Sequence, residues 1–347
     1  MRGLFGSVAL AAVWAAMTGD ASAQELRANV NGVELTANGA ISLQAGAYED
    51  PETGRSDEAS EWDASLIVNA EYVAQSGLVY GFRAEVDTGD REAEDLQRDE
   101  IYVYLAGGFG RVELGEQDGP ADTISLHAPL VGLGQIRGDF VRYAGTAALI
   151  SPFDTRDALK ILYLSAPVRG FRFGVSYAPE LESNSDDPNP RRRTRQENAI
   201  ETALAYQTTL GDWVGGVSAA YVHGEADPVT ERQDLESWSI GSEFRRGPLA
   251  IGAAFVSRGD SNSLTPGLDE EEINAGIAWR AERWGVALSA SETDSTNFTN
   301  RLIGVGGYYE LSEHWVLRAD FVSIEEEPVG APSASGSVAI AEISFRF

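Results

Sequence analysis

The chain has no cysteine, only three histidines, and 26 basic residues against 54 acidic ones, a formal net charge of -28. Without cysteine there is no disulfide framework and no thiolate chemistry. With so few histidines, and with neither a histidine-rich cluster nor a glycine-rich phosphate loop, metal, redox and nucleotide chemistry have no candidate motif. The shortage of positive charge speaks against nucleic acid as a partner: the only basic cluster, Arg191-Arg192-Arg193-Thr194-Arg195, is short and sits in an acidic protein. Long apolar runs are also missing. Val8 to Met17 is apolar but too short to cross a bilayer as a helix. It follows a weakly basic start, Met1-Arg2, and precedes the small residues Ala21-Ser22-Ala23, so residues 1–23 read as a secretory signal peptide and 24–347 as the mature domain. Its removal takes away Arg2 and Asp20, one charge of each sign, so the acidity belongs to the mature protein.

What the chain does have is a two-residue rhythm. Segments of about ten residues alternate apolar with small or polar side chains and are parted by turns, a strand period throughout. Leu35, Ala37, Gly39, Ile41 and Leu43 face one way, and Thr36, Asn38, Ser42 and Gln44 the other. The pattern recurs in Leu78 to Val86, Phe171 to Tyr177, Trp213 to Tyr221 and Trp284 to Ala290, and its last members run roughly Phe298 to Glu310, His314 to Ile324 and Ser335 to Phe347. Counted through, there are about sixteen strands.

The connections alternate in kind. Short turns such as Gln75-Ser76-Gly77, Gly107-Gly108, Leu210-Gly211-Asp212 and Ala281-Glu282 are interleaved with longer acidic loops such as Glu49 to Glu58, Glu180 to Gln196 and Asp260 to Glu272. Short turns on one rim, long loops on the other and an even strand number describe an all-β transmembrane antiparallel barrel. In lipid every peptide group must be paired within the protein, so such a sheet closes on itself and points its apolar face outward. Arg83, Glu85, Arg111, Glu113, Lys160, Arg172, Glu243, Arg245, Arg318, Asp320, Glu342 and Arg346 then fall on the inner face, where a wet channel holds charges that a packed core would not. Tyr72, Tyr80, Trp213, Tyr221, Trp279, Trp284, Tyr309 and Trp315 recur near strand ends, as interfacial girdles require.

One stretch breaks the rhythm. Asp118 to Asp157 shows no clean period, yet it carries Ile124, Leu126, Leu130, Val131, Leu133, Ile136, Phe140 and Phe153, too many apolar residues for disorder. It reads as an ordered, functional loop. Asp122, Ser125 and His127 within it are the residue types of a hydrolase triad, but triads are set by geometry in space and no Gly-x-Ser-x-Gly elbow is present. No cofactor is called for. Calcium on an acidic loop is the one metal considered, and no EF-hand pattern supports it.

Gly110-Arg111-Val112-Glu113-Leu114-Gly115-Glu116-Gln117-Asp118-Gly119, the Gly132-Leu133-Gly134 segment and the terminal strand ending in Phe347 make the chain resemble the Gram-negative general diffusion porins, most of all the trimeric type of photosynthetic purple bacteria and their relatives. The resemblance covers nearly the whole mature chain. It implies that the third long loop, 118–157, folds into the lumen as a constriction, with Asp118, Asp122 and Asp139 as its acidic side and Arg83, Arg98, Arg111 and Lys160 as basic residues of the facing wall. It further implies a homotrimer and a terminal signal, Phe345 and Phe347, for the outer-membrane assembly machinery. The loop departs from a purely acidic one in Arg137, Arg142, Arg156 and His127. The expected function is passive, mildly cation-selective diffusion of small hydrophilic solutes and ions across the outer membrane, in contact with lipid and lipopolysaccharide. Alternatives are a channel selective for phosphate, another anion or a sugar, an outer-membrane hydrolase, and a structural anchor. Pairing of Arg83 with Glu85 and of Arg111 with Glu113 would instead make those arginines structural.

Overall fold

The computed structural model of the protein describes residues 26–49, 56–88, 97–181, 196–227 and 231–347. The expected signal peptide at 1–23 and the arginine cluster at 191–195 lie outside the described residues. The strands are β1 (Leu26–Val30), β2 (Val33–Glu49), β3 (Ser56–Val73), β4 (Val79–Asp87), β5 (Gln97–Gly107), β6 (Gly110–Glu116), β7 (Leu159–Ser165), β8 (Phe171–Glu180), β9 (Gln196–Leu210), β10 (Trp213–Ala226), β11 (Leu235–Arg246), β12 (Leu249–Gly259), β13 (Glu270–Arg280), β14 (Trp284–Ser295), β15 (Phe298–Glu310), β16 (Trp315–Pro328) and β17 (Ala334–Arg346). From β2 onward each pairs antiparallel with the next, and β17 pairs back onto β2 from Glu49–Ser337 to Ala40–Arg346. The result is a closed barrel of sixteen strands. No described helix is long and apolar enough to cross a membrane.

Burial runs opposite to that of a water-soluble barrel. On β14, Trp284, Val286 and Leu288 are exposed while Ser289, Ser291 and Thr293 are buried. On β11, Trp238 and Ile240 are exposed between buried Ser237, Ser239 and Glu243. Leaving a single leucine or isoleucine side chain in water in this way forgoes about 1.5–3 kcal/mol, and a hydrocarbon surround removes that penalty. Tyr72, Tyr80, Trp279, Trp284, Tyr309 and Trp315 are all exposed beside the short turns, forming one girdle. At Leu302-Ile303, where the alternation is blurred in sequence, Leu302 faces inward and is buried while Ile303 is 55% exposed.

The short strand β1 was not apparent in the strand rhythm. It folds back through Asn31-Gly32, whose φ angles of 54° and 87° are those of a type I′ hairpin turn, and pairs with Val33 to Ala37 of β2. β1 therefore takes up the edge of β2 just where β17 runs out. Between the two lies the seam: the Gly39 and Phe347 peptides exchange two hydrogen bonds of 3.1 Å. A Cβ on Gly39 would come within 2.7 Å of the Ser65 carbonyl and 2.9 Å of the Phe347 ring. Gly39→Val is expected to open this seam at a cost of about 1–3 kcal/mol, seen as a lower temperature for the folded-to-unfolded shift in gel mobility on heating.

Candidate functional site

Between β6 and β7 the chain runs from 117 to 158 with only three short helical turns. They are α1 (Pro120–Thr123), a 3-10 turn (Gln135–Arg137) and α2 (Val141–Ala144). Pro120 opens α1 where a missing N–H costs nothing, and Gly145, at φ 70°, ends α2 in the left-handed conformation. A segment this long with so little ladder of its own must find partners elsewhere for its peptide groups. It finds them on the barrel wall. Glu201 of β9 accepts from the Ala121 and Thr155 amides at 3.1 and 2.6 Å. Ser218 of β10 accepts from Leu126 at 2.7 Å and Ser237 of β11 from Phe153 at 2.8 Å. Glu272 and Asn274 of β13 take the Leu149 and Ala128 amides at 2.6 and 3.0 Å, and Asp320 of β16 takes Leu133 and Gln135 at 3.1 and 2.6 Å. Every one of these acceptors belongs to the buried polar face of its strand.

Apolar packing follows the same route. Ala121 and Ile124 pack against Leu162, Ala203, Val222 and Leu235. Leu133, Ile136, Phe140 and Ala148 pack against Leu302, Val322, Ile324, Val338 and Ile340. Close approach is built in by glycine: a Cβ at Gly241 would lie 1.6 Å from the Leu126 carbonyl oxygen.

Asp118, half-buried, brings its carboxylate within 4.8 Å of those of Glu100 and Asp157. Asp122 is exposed and accepts from the Ser151 hydroxyl at 3.3 Å. Asp139 accepts from the Gln44 amide at 2.6 Å. On the wall Arg83 pairs with Glu85 and Glu100 at 2.5 and 2.8 Å. Arg111 pairs with Glu113 and lies 3.7 Å over the Tyr104 ring. Lys160 is buried beneath the loop, its ammonium donating to the Arg156 carbonyl, and the side chain of Arg98 lies outside the described ones. Among the described residues, Arg83 and Arg111 of the wall are thus already ion-paired and Lys160 is covered. In one place the polarity is reversed, since Arg142 of the loop meets Glu61 and Asp63 of β3 at 2.5 and 2.8 Å. At the end of the chain Phe345 packs against Trp315, ring centres 5.1 Å apart.

The sequence profile of the Gram-negative porins matches residues 7–327. The chain belongs to this family. It is an outer-membrane β-barrel and a channel for passive diffusion. Its fold is similar to an anion-selective porin of Comamonas acidovorans at TM-score 0.67 and 15% identity, over 91% of this chain and 100% of that one. A Salmonella typhi OmpF complexed with daunomycin gives 0.67 and 13% over 93% and 100%. The outer-membrane protein OmpT of Vibrio cholerae, lacking its loop L8, gives 0.66 and 15% over 91% and 100%. Comparison with curated protein sequences finds no match.

The loop carboxylates of this porin are held toward the protonated form. Burial, with Asp122, Asp157 and Asp154 nearby, pushes Asp118 up to about 8. Burial, with Glu201 and Asp122 nearby, pushes Asp154 up to about 7. Asp139 is raised by burial against the opposing Gln44 hydrogen bond. Enclosure among protein atoms raises Asp122 as well, but its carboxylate is exposed, so water screens much of that effect.

Sequence reasoning placed Asp320 on the inner face without a role and did not single out Glu201, Glu272, Ser218, Ser237 or Asn274. The signal available for these was only a polar residue in phase with the inner face. Glu201→Ala would leave the buried Ala121 and Thr155 amides without acceptors, a penalty of about 1–3 kcal/mol for each. We expect protease cleavage within 121–155 in the folded variant, with the barrel itself melting close to wild type; a segment as resistant as wild type would show that the carboxylate does not hold it.

Proposed function

We propose that the protein is a water-filled, mildly cation-preferring pore, assembled as a homotrimer, whose loop 117–158 lies within the lumen and sets its narrowest point. The observation that carries this reading is the set of loop amides bonded to inward-facing Glu201, Glu272 and Asp320, on three separated strands of the wall. A loop lying over the rim would not reach side chains that point into the barrel. Selectivity follows from charge: a surplus of carboxylates around a narrow, low-dielectric passage raises the local concentration of cations. The paired Arg83 and Arg111 leave that surplus largely unopposed on their side of the wall.

The trimer reading draws on the family and on a Vibrio cholerae OmpT structure described as a trimer form. Small outward residues Ala45, Ala47, Ala339 and Ala341 on β2 and β17 offer a surface on which a second wall can lie close. Contacts with lipopolysaccharide, and recognition of Phe347 by the assembly machinery, belong to the same proposal. So does the absence of catalysis. The Ser125 hydroxyl donates to the Ala121 carbonyl at 2.5 Å, His127 Nδ1 bonds the Ala128 carbonyl at 2.7 Å and Asp122 is held by Ser151, so the three hydrolase-type residues are engaged with other partners. Among the described residues the Glu100, Asp118 and Asp157 carboxylates are the nearest approach to a calcium site, but crowded acids are equally served by a proton on Asp118.

The test is reversal potential in a potassium chloride gradient across a planar bilayer. Cation preference should rise as pH passes from about 6 to 9, because Asp154 and then Asp118 ionise. Asp118→Asn with Asp154→Asn should flatten that rise. Stability runs the other way: a carboxylate raised in the folded state contributes fully at low pH, and the contribution is lost as pH climbs through about 8. Anion preference at every pH, or absence of conductance, would overturn the reading.

A further inference from the structure

On one side of the loop, Arg137, Arg156 and Arg258 converge on a single pocket of about 160 Å³, together with Asp122, Ser151 and Asp154. Arg137 and Arg156 belong to the loop. Arg258 stands near the end of β12 that leads into the connection 260–269, one of the longer loops. Both loop guanidiniums share the pocket lining with that of Arg258. Three guanidiniums around one small volume repel one another, and the carboxylates of Asp122, Asp154 and Glu270 beside them offset part of that repulsion.

Each acid already present has a partner, but among the described residues only Glu270 is ion-paired with one of the three arginines. Glu270 pairs with Arg258 at 3.0 Å, the Ser151 hydroxyl donates to Asp122, and the Arg156 amide donates to Asp154 at 3.0 Å. Arg137 and Arg156 are exposed, and among the described residues neither forms an ion pair; the Arg137 guanidinium reaches only the Ala148 carbonyl, at 3.4 Å. Arg258 is steadied by the Phe153 ring, 4.7 Å from its guanidinium carbon. The pocket's surplus is thus N–H donors in planar forks, and the group that complements such forks is an oxyanion.

We propose that this pocket binds the carboxylate or phosphate group of a small solute. The proposal deepens the channel reading, on which it rests only for how the solute arrives. Arg83, Arg111 and Lys160 do not line the pocket; the two arginines are ion-paired, and Lys160 is buried behind it against the Arg156 carbonyl. It also gives an anionic group a holding point in a lumen whose overall charge disfavours anions.

The experiment is calorimetric titration of the folded, detergent-solubilised protein with sodium phosphate and, separately, sodium succinate, for wild type, Arg137→Gln with Arg156→Gln, and Arg137→Lys with Arg156→Lys. Saturable binding of at least one anion is expected in wild type, weakened about tenfold or more in the glutamine pair and weakened to a lesser degree in the lysine pair, which keeps the charge but loses the fork. Binding of phosphate alone or of succinate alone names the oxyanion. No saturable heat with either anion, or binding unchanged in the glutamine pair, overturns the proposal. Binding equal to wild type in the lysine pair overturns recognition by the fork. Titration needs no membrane, so a protein that binds but does not conduct would sink the channel reading and leave this one standing.

Discussion

Hydrocarbon offers no water to a peptide group, and that constraint orders the rest of the molecule. Each strand must have a neighbour on both sides, so the sheet closes and β17 returns to β2. Closure fixes which face meets lipid, and the two-residue period then obliges the opposite face to carry Ser289, Ser291, Thr293, Glu201 and Asp320. Those inward polar groups are costly if unpartnered. Loop 117–158 has the opposite problem, with many amides and little secondary structure to satisfy them. Wall and loop resolve each other's deficit.

This exchange explains why the loop is ordered despite its length. Its two larger apolar cores are local, one around Ile124 and Leu162 and one around Ile136 and Ile340, and the wall carboxylates fix the chain between them. Gln135 sits at φ 41°, a conformation that costs a side-chain-bearing residue about 1–3 kcal/mol, and Asp320 and its own side-chain bonds to Val131 hold it there. Loosening the wall acceptors would therefore release strain as well as hydrogen bonds.

Strand number, connection lengths and the outward apolar face were legible in the sequence because the period of two is a direct image of a pleated sheet between unlike surroundings. The segment Phe298 to Glu310 was located to the residue as β15. The loop was recognised by the lapse of that period. What period could not convey is where an inward side chain ends up. Val322, Ile324, Val338 and Ile340 look like ordinary strand residues and are an inner apolar patch that only the loop's fold explains. Lys160 reads as a wall cation and is covered by the loop. Arg83 and Arg111 carry acids two positions away on the same strand face, so their pairing was foreseeable, whereas the meeting of Arg142 with Glu61 joins parts of the chain eighty-one residues apart. β1 was missed although Asn31-Gly32 is a strong hairpin signal, because five residues are too few to establish a rhythm.

The hairpin formed by β1 answers a problem of exposed edges. β17 covers β2 only down to Ala40, with Phe347 at Gly39, so Val33 to Ala37 would otherwise present a row of open peptide groups. An open strand edge is a template for a neighbouring polypeptide. By doubling back, the chain uses its own early residues as a selvedge, and this margin of the barrel is finished before another molecule can be woven onto it.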